Sequence, residues 1–265
     1  MENRDNELYL WCTNVHPLTP PEAECVLALL SDAERIRYGK LSDAVRRDEF
    51  LITRHLLRTA LSRHLSLKPD ELRFSSNRFG KPSLSQSCGL EFNLSNTSRL
   101  AVCLVSFSGP VGVDIEQLSR AADVLEVAEL CFSRKEMQHL FSCAPSLRPD
   151  RALTLWTLKE AYLKAIGIGL HAGLGKIEFL YDAAGEPRLR VENGIDARPD
   201  RWHFYTTDIM NHRIALMARF PFRRRMRIVD TTPSARRHDV WNILQHEVPI
   251  NTEESADIHD PAAVR

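Results

Sequence analysis

The sequence predicts a mixed α/β (α+β) fold of two similar, pseudo-symmetric lobes, each a long helix packed on a small sheet. Segments with helical period alternate along the chain with short apolar or β-branched runs. In addition, each half contains one long helical segment, residues 43–65 and 150–166, that is followed by several short strand-like segments. No residue-level repeat accompanies this order, so the similarity of the lobes is inferred from the pattern of elements alone.

The predicted first lobe covers residues 1–110. Its helix at 43–65 is the clearest element, because apolar residues recur along it with a period of roughly 3.6 residues, and it also carries Arg47 and Arg54. The apolar positions are Phe50, Leu51, Leu56, Leu57, Ala60, Leu61 and Leu65. The strand-like segments of this lobe are residues 7–12, 71–76 and two pieces within 89–107.

The predicted second lobe covers residues 111–228 and begins with a β-branched strand. We expect its long helix to be capped by Asp150 and closed by Gly167. Its further strands are predicted at residues 176–181, 187–191, 201–206 and 213–219. Residues 229–265 are polar and read as a loosely ordered C-terminal extension, in which DVWNILQ (239–245) is interpreted as a short helix.

Composition excludes several classes of function. Of the 265 residues, 43% are hydrophobic and 26% charged, and 35 basic residues balance 35 acidic ones. A net charge of zero gives no overall attraction to nucleic acid or to an anionic membrane. No apolar run approaches the roughly 20 residues that a membrane-spanning helix requires, and the N-terminus lacks the pattern of a secretion signal. We expect a cytoplasmic protein whose six cysteines, none in a C-x-x-C pair, are reduced thiols.

The segment VGVDIE (111–116) contains the first candidate site residues. Asp114 and Glu116 are separated by two positions, so a strand would place both carboxylates on one face. Two neighbouring carboxylates repel each other unless a cation neutralises them. The alternative is a strand edge at which both acids are simply solvated.

The segment LWTLKEAYLKAIGIGL (155–170) contains the second set. Glu160 and Lys164 are one helical turn apart, and Lys159 precedes Glu160 by about 100° of helix rotation. Alone, Glu160 and Lys164 are compatible with an exposed ion pair of little consequence. Together with Asp114 and Glu116, Glu160 completes three carboxylates of the kind that bind Mg²⁺. Nearby lysines would then contact phosphate oxygens as point charges.

Two further segments are polar and turn-like. FGKPSL (79–84) presents Lys81 from a turn shaped by Gly80 and Pro82, and is equally compatible with an ordinary surface turn. FNLSNT (92–97) places hydrogen-bonding side chains, among them Ser95 and Asn96, between two apolar strands. These side chains suit either a structural turn or a ligand contact. The segment GLHAGLGKI (169–177) lacks the first glycine and the final Ser or Thr of a phosphate loop, and neither G-x-S-x-G nor H-E-x-x-H occurs.

In this order, five segments resemble the 4'-phosphopantetheinyl transferases, most closely the larger, surfactin-synthetase-activating type. They are GKP (80–82), FNLSNT (92–97), VGVDIE (111–116), FSRKE (132–136) and WTLKEAYLKAIGIGL (156–170). The resemblance covers roughly residues 5–220. It implies a monomer of two similar α/β lobes with the active site between them. It also implies transfer of the phosphopantetheine arm of coenzyme A to a serine of an apo acyl- or peptidyl-carrier protein, with release of adenosine 3',5'-bisphosphate.

The resemblance also implies roles for individual residues. Asp114, Glu116 and Glu160 match the metal-binding acids of the family, and Glu160 is also the candidate base for the serine proton. Glu160, Asp114 and Lys159 are the implied catalytic residues, and Lys159 and Lys164 would contact phosphate or stabilise the acids. Lys81 and either Arg47 or Arg54 would hold the 3'-phosphate and adenine end. The full set of residues implied to bind coenzyme A is Arg47, Arg54, Gly80, Lys81, Pro82, Ser95, Asn96 and Lys164.

One position departs from the family pattern. A histidine commonly follows N-x-S in the family and contacts the 3'-phosphate, whereas this chain has Asn96. Asparagine can donate a hydrogen bond but brings no positive charge. The departure leaves open a non-catalytic module that binds coenzyme A or a carrier protein, although such a module has no need of all three acids. A different Mg²⁺-dependent nucleotide enzyme is disfavoured because a phosphate loop is missing.

Overall fold

Two sheets, each with one long helix against it, form the framework of the protein. The computed structural model describes residues 7–86, 89–169, 173–181, 187–192, 194–196 and 198–220, and the backbone of 226–233 and 241–248. The strands are β1 (Leu8–Asn14), β2 (Phe74–Ser76), β3 (Pro82–Leu84), β4 (Glu91–Asn96), β5 (Leu100–Ser106), β6 (Val111–Gln117), β7 (Ile177–Tyr181), β8 (Pro187–Val191), β9 (His203–Ile209), β10 (His212–Ala218), β11 (Met226–Pro233) and β12 (Trp241–Val248). The helices are α1 (Pro20–Leu29), α2 (Asp32–Gly39), α3 (Ala44–Leu65), α4 (Ala121–Glu126), α5 (Ala128–Cys131), α6 (Arg134–Ser142) and α7 (Arg148–Ile166).

The strands form two main sheets and two hairpins. One sheet has the order β12-β11-β1-β5-β4, in which β1 runs parallel to β11 and antiparallel to β5. The other is antiparallel with the order β6-β10-β9. Helix α3 packs on β1 and β5, whereas α7 packs on β6 and β10. The predicted mixed α/β fold, with one long helix on each small sheet, is confirmed.

Local sequence explains where the two long helices begin and end. Asp43 caps α3, since its carboxylate accepts from the backbone N–H groups of Val45 and Arg46 at 2.7 and 3.2 Å. Helix α7 ends at Gly167, whose φ of 71° suits a residue without a Cβ, as predicted. Its predicted cap is wrong: α7 begins at Arg148, and Asp150 lies within the first turn, where it pairs with Arg213 at 2.8 Å.

The two lobes are joined by polar side chains at the edges of their sheets. Strand β4 of the first lobe lies against β6 of the second, where the side-chain oxygen of Asn93 accepts from Val113 N–H at 2.9 Å. The β2–β3 hairpin reaches the end of α7, because Lys81 Nζ donates to the carbonyl of Ala165 at 2.7 Å. The side-chain amide of Asn77 donates to the carbonyl of Gly167 at the same distance, 2.7 Å. These contacts join the first lobe to β6 and to the C-terminal end of α7.

The C-terminal segment includes two strands in its described part. β11 pairs with β1, and β12 pairs with β11, so both strands extend the sheet of the first lobe. The interpretation of 239–245 as a helix is therefore wrong, since β12 begins at Trp241. A seven-residue segment is too short for a stable isolated helix, whereas the edge of β11 offers hydrogen bonds along its whole length. Among the helices that the structure describes, none is long and apolar enough to cross a membrane.

Helix α7 approaches β6 unusually closely at Gly112. A Cβ built on Gly112 would lie 2.1 Å from the carbonyl oxygen of Ala161 and 2.6 Å from the backbone nitrogen of Ala165. Both alanines are buried, and their small side chains also allow the approach. Leu163, on the same helix, also lies in the core. The close approach places the strand carboxylates of β6 beside the side chains of α7.

Lys159 does not face the strand carboxylates, which corrects its predicted role in catalysis or phosphate binding. Its side chain is fully buried on another face of α7, with Nζ 2.5 Å from Glu136 Oε2. The ammonium also donates to the carbonyls of Cys131 and Leu174, both at 3.1 Å. Burial lowers the pKa of Lys159, and the charge of Glu136 opposes that shift.

Glu136 explains the segment FSRKE in structural terms. Glu136 and Ser133 form a capping box at the start of α6, in which Glu136 accepts from Ser133 N–H at 2.8 Å. Its other oxygen accepts from Phe179 N–H on β7 at 2.9 Å. Together with Lys159, this one carboxylate connects α6, α7 and β7.

We predict that Lys159→Met destabilises the fold by about 3–5 kcal/mol, because it leaves Glu136 as an uncompensated buried charge. Urea unfolding monitored by circular dichroism measures the loss. The double variant Lys159→Met/Glu136→Gln removes that charge and should recover more than half of it.

The matched control for this prediction is Lys176→Met. The Lys176 side chain is 54% exposed and lies 3.7 Å from an exposed glutamate. We expect its replacement to change stability by no more than about 0.5 kcal/mol. Equal effects of the two lysine variants would contradict the assignment of Lys159 to a buried structural pair.

We predict that Gly112→Ala destabilises the protein by about 1–3 kcal/mol, because the new methyl group forces α7 away from β6. Thermal and urea unfolding measure the effect. Gly39→Ala at the end of α2 is the control, since a Cβ there meets nothing within 4 Å. A Gly112→Ala variant as stable as Gly39→Ala would show that the close approach is not a constraint.

Candidate active site

A cavity of about 450 Å³ opens where β4, β6 and α7 meet. It is lined by residues 95–98, at the end of β4 and just beyond it, and by residues 114–117 of β6. The other lining residues are Arg120, Trp156, Glu160 and Lys164. The acids come from adjacent sides of the cavity, two from the strand and one from the helix. Asp114 and Glu116 both border the cavity, in agreement with the shared strand face that their two-residue spacing predicts.

Asp114 is the most buried acid of the cavity, with 4% of its surface exposed. Its Oδ1 accepts from Lys164 Nζ at 2.5 Å and from the Ser95 hydroxyl at 3.0 Å. Lys164 Nζ also lies 2.8 Å from Ser95 Oγ, so these three side chains form a closed triangle. In the described part of the chain, Asp114 Oδ2 is buried without a hydrogen-bond partner. Such an oxygen has a full lone pair available for a cation.

Glu116 has a donor on each of its carboxylate oxygens. Arg120 Nη1 lies 2.6 Å from Oε2, and the indole N–H of Trp156 donates to Oε1 at 3.1 Å. Burial raises the pKa of Glu116, and the nearby charge of Asp114 raises it further. Arg120 and the Trp156 hydrogen bond act in the opposite direction.

Glu160 differs from the other two acids because it has no hydrogen bond or ion pair among the residues that the structure describes. Burial raises the pKa of Glu160 to about 7, and the charges of Asp114 and Glu116 add to the effect. The charge of Lys164 lowers it, but Lys164 makes its ion pair with Asp114. The alternative of a simple exposed Glu160–Lys164 pair is therefore not what the structure contains.

The donor set of this cavity fits a small divalent cation in part. Within the described ranges, no group of three or more His, Cys, Asp or Glu side chains is already arranged as a metal site. However, neither Asp114 Oδ2 nor Glu160 has a hydrogen-bond partner in the part of the chain that the structure covers, and the two carboxylates repel each other. Mg²⁺ needs only one or two protein carboxylates and completes its six ligands with water and phosphate. Asp114 and Glu160 meet that requirement, and Glu116 would join them only if it exchanged a donor.

The structure brings together six of the residues that the sequence analysis singled out. Asp114, Glu116, Glu160, Lys164, Ser95 and Asn96 all line the cavity. Ser95 is buried and holds its position through Ile115 N–H, which donates to Ser95 Oγ at 3.4 Å. Asn96, which stands where the family has histidine, is exposed at the end of β4.

The remaining predicted ligand contacts lie outside the lining of the cavity. Gly80, Lys81 and Pro82 form the β2–β3 turn, and the Lys81 ammonium is engaged with α7. Arg47 is exposed on α3, where it donates to the Leu41 carbonyl at 2.6 Å and lies over the Tyr38 ring. The partly buried Arg54 lies over the Phe50 ring, 3.9 Å from Glu34. Their proposed contacts with a ligand stay predictions.

Sequence reasoning missed two residues that contact the acids directly. Trp156 is one of them: its indole N–H reaches Glu116 across the gap between α7 and β6. The other is Arg120, which follows Glu116 by four positions and forms an ion pair with it. A spacing of four residues indicates a contact only where the chain is helical. Residues 118–120 form a single 3₁₀ turn, which the sequence pattern does not reveal.

Comparisons with known proteins agree with these motifs. A family model described as the 4'-phosphopantetheinyl transferase superfamily matches residues 110–217. The 4'-phosphopantetheinyl transferase HetI of Nostoc sp. is 34% identical over 191 residues, which span 70% of this chain and 79% of HetI. The 4'-phosphopantetheinyl transferase Sfp of Bacillus subtilis is 29% identical over 175 residues, 66% of this chain and 77% of Sfp.

Solved structures include a holo-[acyl-carrier-protein] synthase from Thermotoga maritima, with 22% identity and a TM-score of 0.36 over 53% of this chain and 84% of that one. Family membership rests on the sequence relatives, since HetI exceeds 30% identity and most of its length is covered. The resemblance drawn from the five motifs is confirmed, and the chain belongs to the 4'-phosphopantetheinyl transferase superfamily.

Proposed function

We propose that the protein transfers the 4'-phosphopantetheine arm of coenzyme A to a serine of an apo acyl- or peptidyl-carrier protein, in a Mg²⁺-dependent reaction. The serine oxygen forms a bond to the phosphorus that bears the pantetheine arm, and the pyrophosphate P–O bond breaks. Adenosine 3',5'-bisphosphate leaves, and the serine proton passes to a base. The observation that carries the proposal is the meeting of Asp114, Glu116, Glu160 and Lys164 in one cavity of a member of this superfamily.

The metal role is assigned to Asp114, Glu160 and Glu116. Asp114 Oδ2 is the best prepared ligand, because Lys164 and Ser95 hold the other oxygen of that carboxylate in place. Mg²⁺, when bound, supplies neutralisation of the charge that develops on the leaving phosphate. A cation at this position would also relieve the repulsion among the acids.

Glu160 is the proposed base for the serine proton, directly or through a water molecule. A general base works best when its pKa lies near the operating pH, and the pKa of Glu160 is raised to about 7. Among the residues that the structure describes, Glu160 has no hydrogen-bond partner, so its oxygens are free for an incoming hydroxyl. The same carboxylate is also a proposed metal ligand, so the two roles compete for Glu160.

The phosphates of coenzyme A are proposed to lie beside Lys164 and the polar residues 95–98. Lys164 faces the acids from α7, and its side chain is 29% exposed and thus reachable. Asn96 offers a neutral amide donor in place of the family histidine. Lys81 and either Arg47 or Arg54 remain the proposed contacts for the 3'-phosphate and adenine, beyond the lining of the cavity. Since one chain supplies both lobes that border the cavity, we propose that the protein acts as a monomer.

We predict that the purified protein, coenzyme A and Mg²⁺ add one phosphopantetheine unit to an apo carrier protein. Intact-protein mass spectrometry measures the gain, which should disappear when EDTA replaces Mg²⁺. A panel of carriers from fatty-acid, polyketide and nonribosomal-peptide synthesis identifies the accepted class.

A carrier variant with alanine in place of the acceptor serine is the control for this assay and should gain no mass. Absence of labelling across the whole panel would overturn the transferase proposal. Binding of coenzyme A or of a carrier without transfer would instead favour the non-catalytic module, for which Asn96 is the sequence support.

We predict that Glu160→Gln reduces transfer by at least about 100-fold, because the amide can neither accept the serine proton nor replace a carboxylate ligand.

The same variant should gain stability at high pH. Between the unfolded-state pKa of 4.5 and the folded-state pKa of about 7, only the folded protein keeps the Glu160 proton. The contribution of Glu160 to stability therefore falls as the pH rises through that range.

Urea unfolding in EDTA at pH 5 and pH 8 measures this second effect. We expect the free energy of unfolding of Glu160→Gln, taken relative to that of the wild type, to be higher at pH 8 than at pH 5 by up to about 2 kcal/mol. The control Glu129→Gln changes an exposed acid of α5. It should leave both the transfer rate and the pH dependence of stability unaltered. Near-normal turnover of Glu160→Gln would show that the assigned site is wrong.

A further inference from the structure

One side chain of the protein already occupies a position that the proposed metal site needs. Arg120 lies on the single 3₁₀ turn that follows β6, and its Nη1 is 2.6 Å from Glu116 Oε2. Trp156 donates to the second oxygen of the same carboxylate at 3.1 Å. Glu116 is therefore the only one of the three acids with a donor on both oxygens in the described part of the chain, whereas Asp114 Oδ2 and Glu160 have none.

We propose that Arg120 is an internal counter-cation that neutralises Glu116 in the free protein and leaves it when a divalent cation binds. Arg120 is thus a positioning residue that competes with the metal for Glu116. This inference rests on the proposed function, because that function places the metal among these acids. It goes further in assigning the ligands an order: Asp114 and Glu160 are available from the start, and Glu116 becomes available only on exchange.

The exposure of Arg120 supports its release. Its side chain is 47% exposed, whereas that of Glu116 is only 13% exposed. A half-exposed guanidinium that leaves its partner regains water, so an ion pair of this kind is weak. Lys164 is different, because it holds both Asp114 and Ser95 and is less exposed, at 29%. Arg120 is therefore the cation of the cavity that can be displaced.

The arginine on the adjacent strand β10, Arg213, cannot neutralise Glu116 in place of Arg120. Arg213 lies directly opposite Glu116 in the pairing of β10 with β6. Its guanidinium is held by Asp208 at 2.5 Å, by Asp150 at 2.8 Å and by the hydroxyl of Thr154. These contacts keep Arg213 on the N-terminal turns of α7, so the charge of Glu116 is left to Arg120.

Trp156 adds a reason why Glu116 is kept in place during the exchange. Its indole hydrogen bond to Oε1 does not depend on Arg120, so Oε2 stays directed to the side from which Arg120 departs. Glu116 thus loses one donor and keeps the other. The expected consequence is a penalty on metal binding that Arg120 alone imposes.

The test is the affinity of the full-length protein for Mn²⁺ added alone, without coenzyme A, followed by the EPR signal of the free ion. We expect Arg120→Gln to bind Mn²⁺ about three- to tenfold more tightly than the wild type, because the competing cation is removed. Arg120→Lys keeps the charge and should lie between them. If Arg120 only maintained the local structure, its loss would weaken metal binding instead.

The matched control is Arg99→Gln, which removes the same charge from an exposed arginine next to the cavity-lining residues 95–98. Its Mn²⁺ affinity should stay within about twofold of the wild type, which measures the general effect of one lost charge. A double-mutant cycle then identifies the carboxylate concerned. In a Glu116→Gln background, Arg120→Gln should have no more effect than Arg99→Gln.

Each outcome decides the inference. Tighter binding that vanishes in the Glu116→Gln background supports it. Unchanged or weaker binding by Arg120→Gln, an effect equal to that of Arg99→Gln, or no Mn²⁺ binding by any variant overturns it. Carrier labelling by the wild type, run in parallel, separates this failure from that of the proposed function: labelling without the Arg120 effect leaves the transferase assignment standing.

Discussion

The close contact of α7 with β6 at Gly112 is the constraint on which the candidate site depends. A side chain at this position would collide with the backbone of α7 at 2.1 Å, so only glycine allows the two elements to touch. Asp114 and Glu116 follow on the same strand, and Glu160 and Lys164 lie on the adjoining turns of the helix. The ion pair between Lys164 and Asp114, 2.5 Å long, requires this proximity. The geometry of the cavity is therefore set by backbone packing before any charge is considered.

That proximity creates an electrostatic cost that the cavity balances only in part. Three carboxylates share a partly buried volume, and burial together with mutual repulsion raises the pKa of both Glu116 and Glu160. Lys164 offsets the charge of Asp114, and Arg120 offsets that of Glu116. No cation is paired with Glu160 in the described part of the chain. The unbalanced acid is the one that the superfamily resemblance assigns to proton transfer and metal binding.

The sequence predicted the long helices and the shared strand face of Asp114 and Glu116 well, because both depend on local spacing. Residues two positions apart in a strand lie on the same face, and residues four positions apart in a helix lie on the same side, whatever the rest of the fold. It failed where the partner was distant. Lys159 is adjacent to Glu160, but its position around α7 turns it toward Glu136 on α6, which is 23 residues earlier in the chain. Similarly, the segment at β12 became a strand because β11 offered a hydrogen-bonding edge, which no local pattern records.

Distant pairs that the sequence could not predict hold α7 in place, so Glu160 keeps its position without a partner of its own among the described residues. Lys159 fastens α7 to α6, and Tyr162 donates to Asp196 at 3.2 Å on a further side of the helix. Near the start of α7, Asp150 is held by Arg213 of β10. Helix α7 thus has polar anchors on the faces that do not border the cavity, in addition to its buried apolar residues. Because these anchors and the contact at Gly112 fix the helix, the position of Glu160 does not depend on a partner of its own. A carboxylate held in this way can keep its oxygens free for a proton or a cation, since no internal bond has to be broken first.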